Sequence, residues 1–301
     1  FTNTVPSFTL YARVQNRSNS ACFAVTSFQV TVTPKPVVTV LTDYALCDDS
    51  SSNGFETFDL QTKIAGILGA QNVADHAISF HATQADPDAG SNALPYLFTN
   101  TNANSQEIYV RIENTTNTNC YNTKSFFLKV NTPPVVSPAT LVQCDFGLNP
   151  DGFTTFNLNE ADAVLTNGNA NRITTFFLNN ADAVANTAPL NPVYTNISNP
   201  QQISVRVTDT QTGCYSITTL SLHVNTIATQ ELVMNGCSDN GYYTFNLTGL
   251  GLETSTNTVK YYSSVTDALL EQNELNTAFT NTTVGFQTVY ARVESNNDCE
   301  G

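Results

Sequence analysis

Charge is scarce in this 301-residue sequence: Asp, Glu, Lys and Arg together make up 12%, about half of the roughly 25% usual for a soluble domain. Basic residues are scarcer still, 11 against 25 acidic, for a formal net charge of -14. Binding to a nucleic-acid backbone needs clustered Lys and Arg, and so does attraction to an anionic bilayer. Nucleic acid is therefore not an expected partner. No apolar run approaches the ~20 residues that span a hydrocarbon core, so no membrane insertion is expected from this segment. Histidine occurs three times, at His76, His81 and His223, without metal-ligand spacing of the H-E-x-x-H kind. A G-x-S-x-G elbow and a phosphate loop are missing too, and the sequence reads as a non-enzyme with no catalytic residues and no cofactor beyond a candidate calcium ion. Residues 134–226 contain no lysine, which excludes a Lys–Asn isopeptide crosslink there. There is no initiator Met or signal-like opening, as in a mature or excised piece.

What the sequence has is repetition. Tyr11-Ala12-Arg13-Val14 returns as Tyr109-Val110-Arg111-Ile112, Ser204-Val205-Arg206-Val207 and Tyr290-Ala291-Arg292-Val293. A cysteine follows each: Cys22, Cys120, Cys214 and Cys299. A second series, Cys47, Cys144 and Cys237, precedes the phrases Phe55–Leu60, Phe153–Leu158 and Tyr242–Leu247. Thr33-Pro34-Lys35-Pro36 and Thr132-Pro133-Pro134 punctuate the units. The expected domains are the C-terminal part of a first repeat (1–34), two whole repeats (35–133 and 134–226), and a last repeat lacking its final strand (227–301). Phe1-Thr2-Asn3-Thr4 matches Phe279-Thr280-Asn281-Thr282, so a window onto a longer tandem array is expected.

Within a unit the period is mostly two. Ile108, Val110 and Ile112 share one strand face, with Tyr109 and Arg111 on the other. Ser125–Val130 reads as the returning strand of a hairpin, and further strands are expected near 37–46, 55–60, 77–83 and 94–99. Leu60, Ile64, Ile67 and Leu68 have the spacing of one or two helical turns. The fold class is all-β: tandem immunoglobulin-like β-sandwich domains arranged head to tail, one disulfide per domain. Two pairing schemes are weighed. Pairs across boundaries would be Cys22–Cys47, Cys120–Cys144 and Cys214–Cys237. A strand of about ten residues at ~3.3 Å each would hold such partners far beyond the ~7 Å that a disulfide tolerates. Pairs within units, Cys47–Cys120, Cys144–Cys214 and Cys237–Cys299, are expected instead, and imply an oxidising, extracellular setting.

The recurring arginines Arg111, Arg206 and Arg292 are expected to form structural ion pairs with Asp86, Asp182 and Asp267, or to cap nearby carbonyls. Acidic turns follow the early cysteines. Asp48, Asp49 and Asn53, and likewise Asp145, Asn149 and Asp151, offer oxygen ligands beside a Gly, the pattern that calcium uses; an Asx-rich turn is the plainer reading.

The phrase order resembles repeats of very large surface proteins of Bacteroidota. Cys144-Asp145, Asp151-Gly152, Phe156-Asn157-Leu158, Ala181-Asp182-Ala183, Val205-Arg206-Val207 and Gly213-Cys214-Tyr215 carry the likeness. The fourth unit departs from it with Asp298-Cys299-Glu300. The resemblance implies export by the type IX secretion system to the cell surface, as an adhesin or filament. The expected function is the shaft of such a protein, extending a binding tip, with further repeats of the same chain and other copies of the filament as partners. The alternatives are a tandem array gripping a surface ligand such as a glycan or protein by avidity, for which Tyr109 and Tyr290 are the candidate contacts, and the accessory region of a secreted hydrolase.

Overall fold

The computed structural model describes residues 2–145, 151–226, 230–295 and 298–301. The chain divides into two compact units, Phe1–Thr132 and Pro133–Gly301.

The first unit opens with an antiparallel hairpin of Ser7–Asn16 and Asn19–Thr31. The repeat after it is a sandwich. Its larger sheet runs Tyr44–Cys47, Asn117–Asn131, Ser105–Asn114, His76–His81 in spatial order. The first of these pairs parallel with the last strand in sequence, Tyr44 opposite Leu128 and Cys47 opposite Asn131. Thr57–Asp59 and Leu97–Thr99 form the small second layer. Alternation sets the core: Ile108, Val110 and Ile112 are fully buried, beside Phe58, Leu60, Ile67, Phe80, Phe126 and Leu128. The helical spacing after Phe58 becomes a 3-10 turn, Leu60–Lys63, running into a short α-helix, Ile64–Leu68.

The second unit repeats this plan. Ala139–Asp145, Tyr215–Thr226, Gln201–Asp209 and Arg172–Phe177 form a four-stranded sheet, again with the opening strand parallel to the closing one. Ile203, Val205 and Val207 fill its core. The last repeat has Thr258–Tyr262, Tyr290–Ser295 and Asp298–Cys299 in one sheet, and Thr244–Asn246 with Ala278–Thr280 in the other. Each repeat also carries a short helix that the strand pattern did not foretell: Ala85–Ala89, Asn180–Ala185 and Val265–Leu270.

One asparagine staples each sandwich. Asn100 is buried; its Oδ1 accepts from Glu56 N at 2.7 Å, and its Nδ2 donates to Gly54 O and Asn102 O, both at 2.8 Å. Asn196 does the same with Thr154, Gly152 and Ser198. Asn281 does it with Tyr243, Gly241 and Thr283. The glycine of each trio has positive φ, +80° at Gly54, where a Cβ would sit 2.7 Å from Asn104 Oδ1.

Candidate functional site: an inter-repeat joint

The cysteines follow neither pairing scheme expected from the sequence. Cys144 of the second repeat bonds Cys299 of the last, with Cα atoms 5.5 Å apart. Cys144–Cys214 and Cys237–Cys299 are thereby excluded. Cys47 and Cys214 are also disulfide-bonded, whereas Cys22, Cys120 and Cys237 are free, which excludes Cys47–Cys120. Strand direction is the reason. The early cysteine ends the opening strand, which runs parallel to the closing one, so Cys144 lies opposite Asn225. Cys214 sits just before that closing strand begins at Tyr215. The eleven residue steps from 214 to 225, at ~3.3 Å each, put the two sulfurs at opposite ends of one sheet, far beyond disulfide reach. Cys47 opposite Asn131, with Cys120 near the start of the same strand, repeats the arrangement.

Around the bridge the two repeats interlock through polar groups. Gln143, beside Cys144, is 2% exposed; its Nε2 donates to Leu269 O at 2.6 Å, and its Oε1 accepts from Arg292 Nη1. Asn157 donates to Leu270 O at 3.4 Å, and Asn225 to Cys299 O at 3.3 Å. The acceptors Leu269 and Leu270 end the short helix Val265–Leu270, where carbonyls lack intrahelical donors.

Behind these contacts lies an ionic cluster of the last repeat. Arg292 pairs with Glu294 through Nε and with Glu271 at 3.0 Å, while Lys260 reaches Glu271 at 2.7 Å and Glu294 at 2.8 Å. Two cations balance two anions, which is what makes burial tolerable. Burial alone would raise the Glu294 carboxyl, but hydrogen bonds from Lys260 and Arg292 hold it below the usual range. Burial alone would lower the Lys260 ammonium, but hydrogen bonds to the same two glutamates raise it. Glu160 of the second repeat adds a third carboxylate. Burial first, then the charge of Glu271, push it up to about 8. Its protonated form is therefore favoured at neutral pH, beside Glu271 of the last repeat. Glu160 was not singled out from the sequence; Leu158-Asn159-Glu160-Ala161 gave no sign of a charged partner from another repeat.

The arginines do not pair with the recurring aspartates. Asp86, Asp182 and Asp267 sit in the first turns of the short helices, taken up by Thr83 and Asn92, by Asn179, and by Ser264 and Asn273. Those hydrogen bonds hold Asp86 and Asp267 below the usual carboxylate range. The arginines instead cap carbonyls of the same helices, the negative end of the dipole. Arg111 donates to Pro87 O at 2.6 Å, Arg206 to Ala183 O at 3.1 Å, and Arg292 to Ala268 O at 3.2 Å. Tyr121 covers Arg111, and Tyr215 covers Arg206. The position that the Asp was expected to fill is taken by acids two residues along the strand, Glu113 and Glu294.

Of the residues read as calcium ligands, Asp49, Asn53 and Asp151 each accept from a backbone N–H two residues on, closing Asx turns. Asp48 and Asp145 span longer loops to Gly54 N and Gly152 N. Asn149 lies outside the described residues. Asp48 and Asp49 come together with Glu56. His81 is buried, its Nδ1 2.7 Å from Ser91 O and its Nε2 2.8 Å from Ser79 Oγ, and His76 Nδ1 lies 2.9 Å from Asn72 O. No helix among the described residues is long and apolar enough to cross a membrane.

The family described as "Flavobacterium inter-domain disulphide bond domain" matches residues 43–134, 140–228 and 233–301. No curated protein matches the chain. Among solved structures, a segment of three immunoglobulin domains of titin, in a Glu-to-Ala variant, is 9% identical; the match covers 85% of this chain and 86% of that one at a TM-score of 0.22. The human desmocollin-1 ectodomain is 11% identical, over 97% of this chain and 63% of its own length, at a TM-score of 0.19.

Proposed function

Because the chain belongs to the Flavobacterium inter-domain disulphide bond domain family, we propose that it is a shaft segment of a large secreted surface adhesin or extracellular filament. It is exported in the manner of Bacteroidota type IX substrates and holds a binding tip away from the cell. The role is mechanical and spatial rather than catalytic. Its partners are neighbouring repeats and other copies of the same filament.

The observation that supports this reading is the bridge between repeats. Tension along the chain can cross from residue 144 to residue 299 through the sulfurs, a covalent path that bypasses the backbone between them. An intact disulfide hides 155 residues of separation, or about 510–560 Å of extended chain at ~3.3–3.6 Å per residue. Single-molecule pulling on the full chain tests this. The oxidised protein is expected to extend less than the reduced protein by at least that length, because reduction also frees Cys47 and Cys214. Equal contour lengths with and without reductant would remove the load path, and the shaft reading with it.

A further inference from the structure

We infer a calcium site in the first whole repeat, formed by Asp48, Asp49 and Glu56. One carboxylate oxygen from each lies within 4.8 Å of the other two. Like charges so close repel unless a cation joins them, and none of the three forms an ion pair with Lys or Arg among the described residues. The second, independent observation is Asp48 itself. It is 6% exposed; Oδ2 accepts from Gly54 N at 2.7 Å, while Oδ1 is buried without a hydrogen-bond partner among the described residues. An acceptor left so in a protein interior is costly, and a hard cation satisfies it where no donor does.

The fold holds these oxygens in place. Asp48 N donates to Asn131 O at 2.9 Å, at the end of the closing strand. Glu56 N is fixed by the Asn100 staple, and Asp49 by Ser51 N at 2.7 Å. An all-oxygen, carboxylate-rich set suits calcium, whose shell of six to eight ligands tolerates irregular geometry and leaves places for water; magnesium demands a near-ideal octahedron. The site belongs to this repeat alone. In the second repeat Phe146 follows Asp145 where Asp49 follows Asp48, and Thr154 replaces Glu56. Thr154 Oγ1 donates to Cys144 O at 3.2 Å, turning the position inward. In the last repeat Ser238 and Tyr243 take the places of Asp48 and Glu56.

The test is isothermal titration of the chelator-treated full chain with calcium chloride or magnesium chloride, paired with hydrogen exchange. One calcium per chain is expected, with a dissociation constant in the ~10⁻⁴–10⁻³ M range of extracellular modules, at least tenfold tighter than magnesium. Added exchange protection is expected around residues 48–56. Glu56→Gln and Asp49→Asn should each weaken binding tenfold or more, while Asp151→Asn in the second repeat leaves it unchanged. Glu56 is only half buried and its backbone holds the Asn100 contact, so Glu56→Gln should fold, which circular dichroism checks. No heat and no added protection at 10 mM calcium would overturn the assignment. So would equal binding of magnesium, or wild-type affinity in both variants.

Discussion

Replacing Cys299 with Ser opens the ring that its bond to Cys144 closes. The sequence separation is 155, and the chain-entropy treatment assigns a loop of that length about 5 kcal/mol of stabilisation. Both cysteines are 2% exposed, so the variant leaves a neutral thiol and a small hydroxyl in a packed place and adds only a minor cost of its own. With a urea slope of about 2–3 kcal/mol/M for a unit of this size, the unfolding midpoint should fall by roughly 2 M. Cys237→Ser, which removes an exposed free thiol, is the control and should leave the midpoint unchanged. Urea melts of the oxidised full chain, followed by far-UV circular dichroism, give both numbers. Non-reducing peptide mapping should recover the Cys144 peptide joined to the Cys299 peptide. Recovery of Cys144 joined to Cys214, or coincident melts of wild type and Cys299→Ser, would refute the joint as described.

Two further outcomes follow from buried polar groups. Glu160 holds its proton up to about pH 8 in the folded chain, against a carboxyl's ordinary 4.5. The native state therefore binds more protons than the unfolded state between those values, and stability must fall as pH rises through that window. Glu160→Gln keeps a neutral donor and should flatten that part of the profile, read from urea melts at pH 5, 7 and 9; identical slopes in both proteins would exclude a proton held by Glu160 at the joint. Asn100→Ala strands Asn102 O and Glu56 N and leaves Gly54 O with Asn104 N as its donor, at a cost of about 2–4 kcal/mol for the lost hydrogen bonds and orphaned groups. The loss should show as a lower thermal midpoint of the first unit, and an unchanged midpoint would mean the staple is not structural.

Much of the sandwich was legible because it rests on period-two burial. Ile108, Val110 and Ile112 had to face a core whatever lay across from them. The short helices were not legible: Ala85–Ala89 spans five residues and contains Pro87, too little for a helical period to register. The cysteine partners were hidden for a different reason. Cys47 follows the strand expected near 37–46, but only the parallel pairing with the closing strand fixes which end of the sheet Cys47 and Cys144 reach. Arg111 and Arg206 were expected to meet Asp86 and Asp182, but those aspartates sit in the first turns of the short helices, and the arginines reach carbonyls further along the same helices instead. Glu160, the Asn100 staple and the Asp48–Asp49–Glu56 group each unite positions that no single window contains.

The ring closed by residues 144 and 299 also changes what a protease can do. A single cut anywhere between them breaks the backbone but leaves both flanking segments attached through sulfur. Severing the strand there takes two chemistries at once, hydrolysis and reduction. Repeats joined this way outlast nicks that would cut an ordinary string of domains.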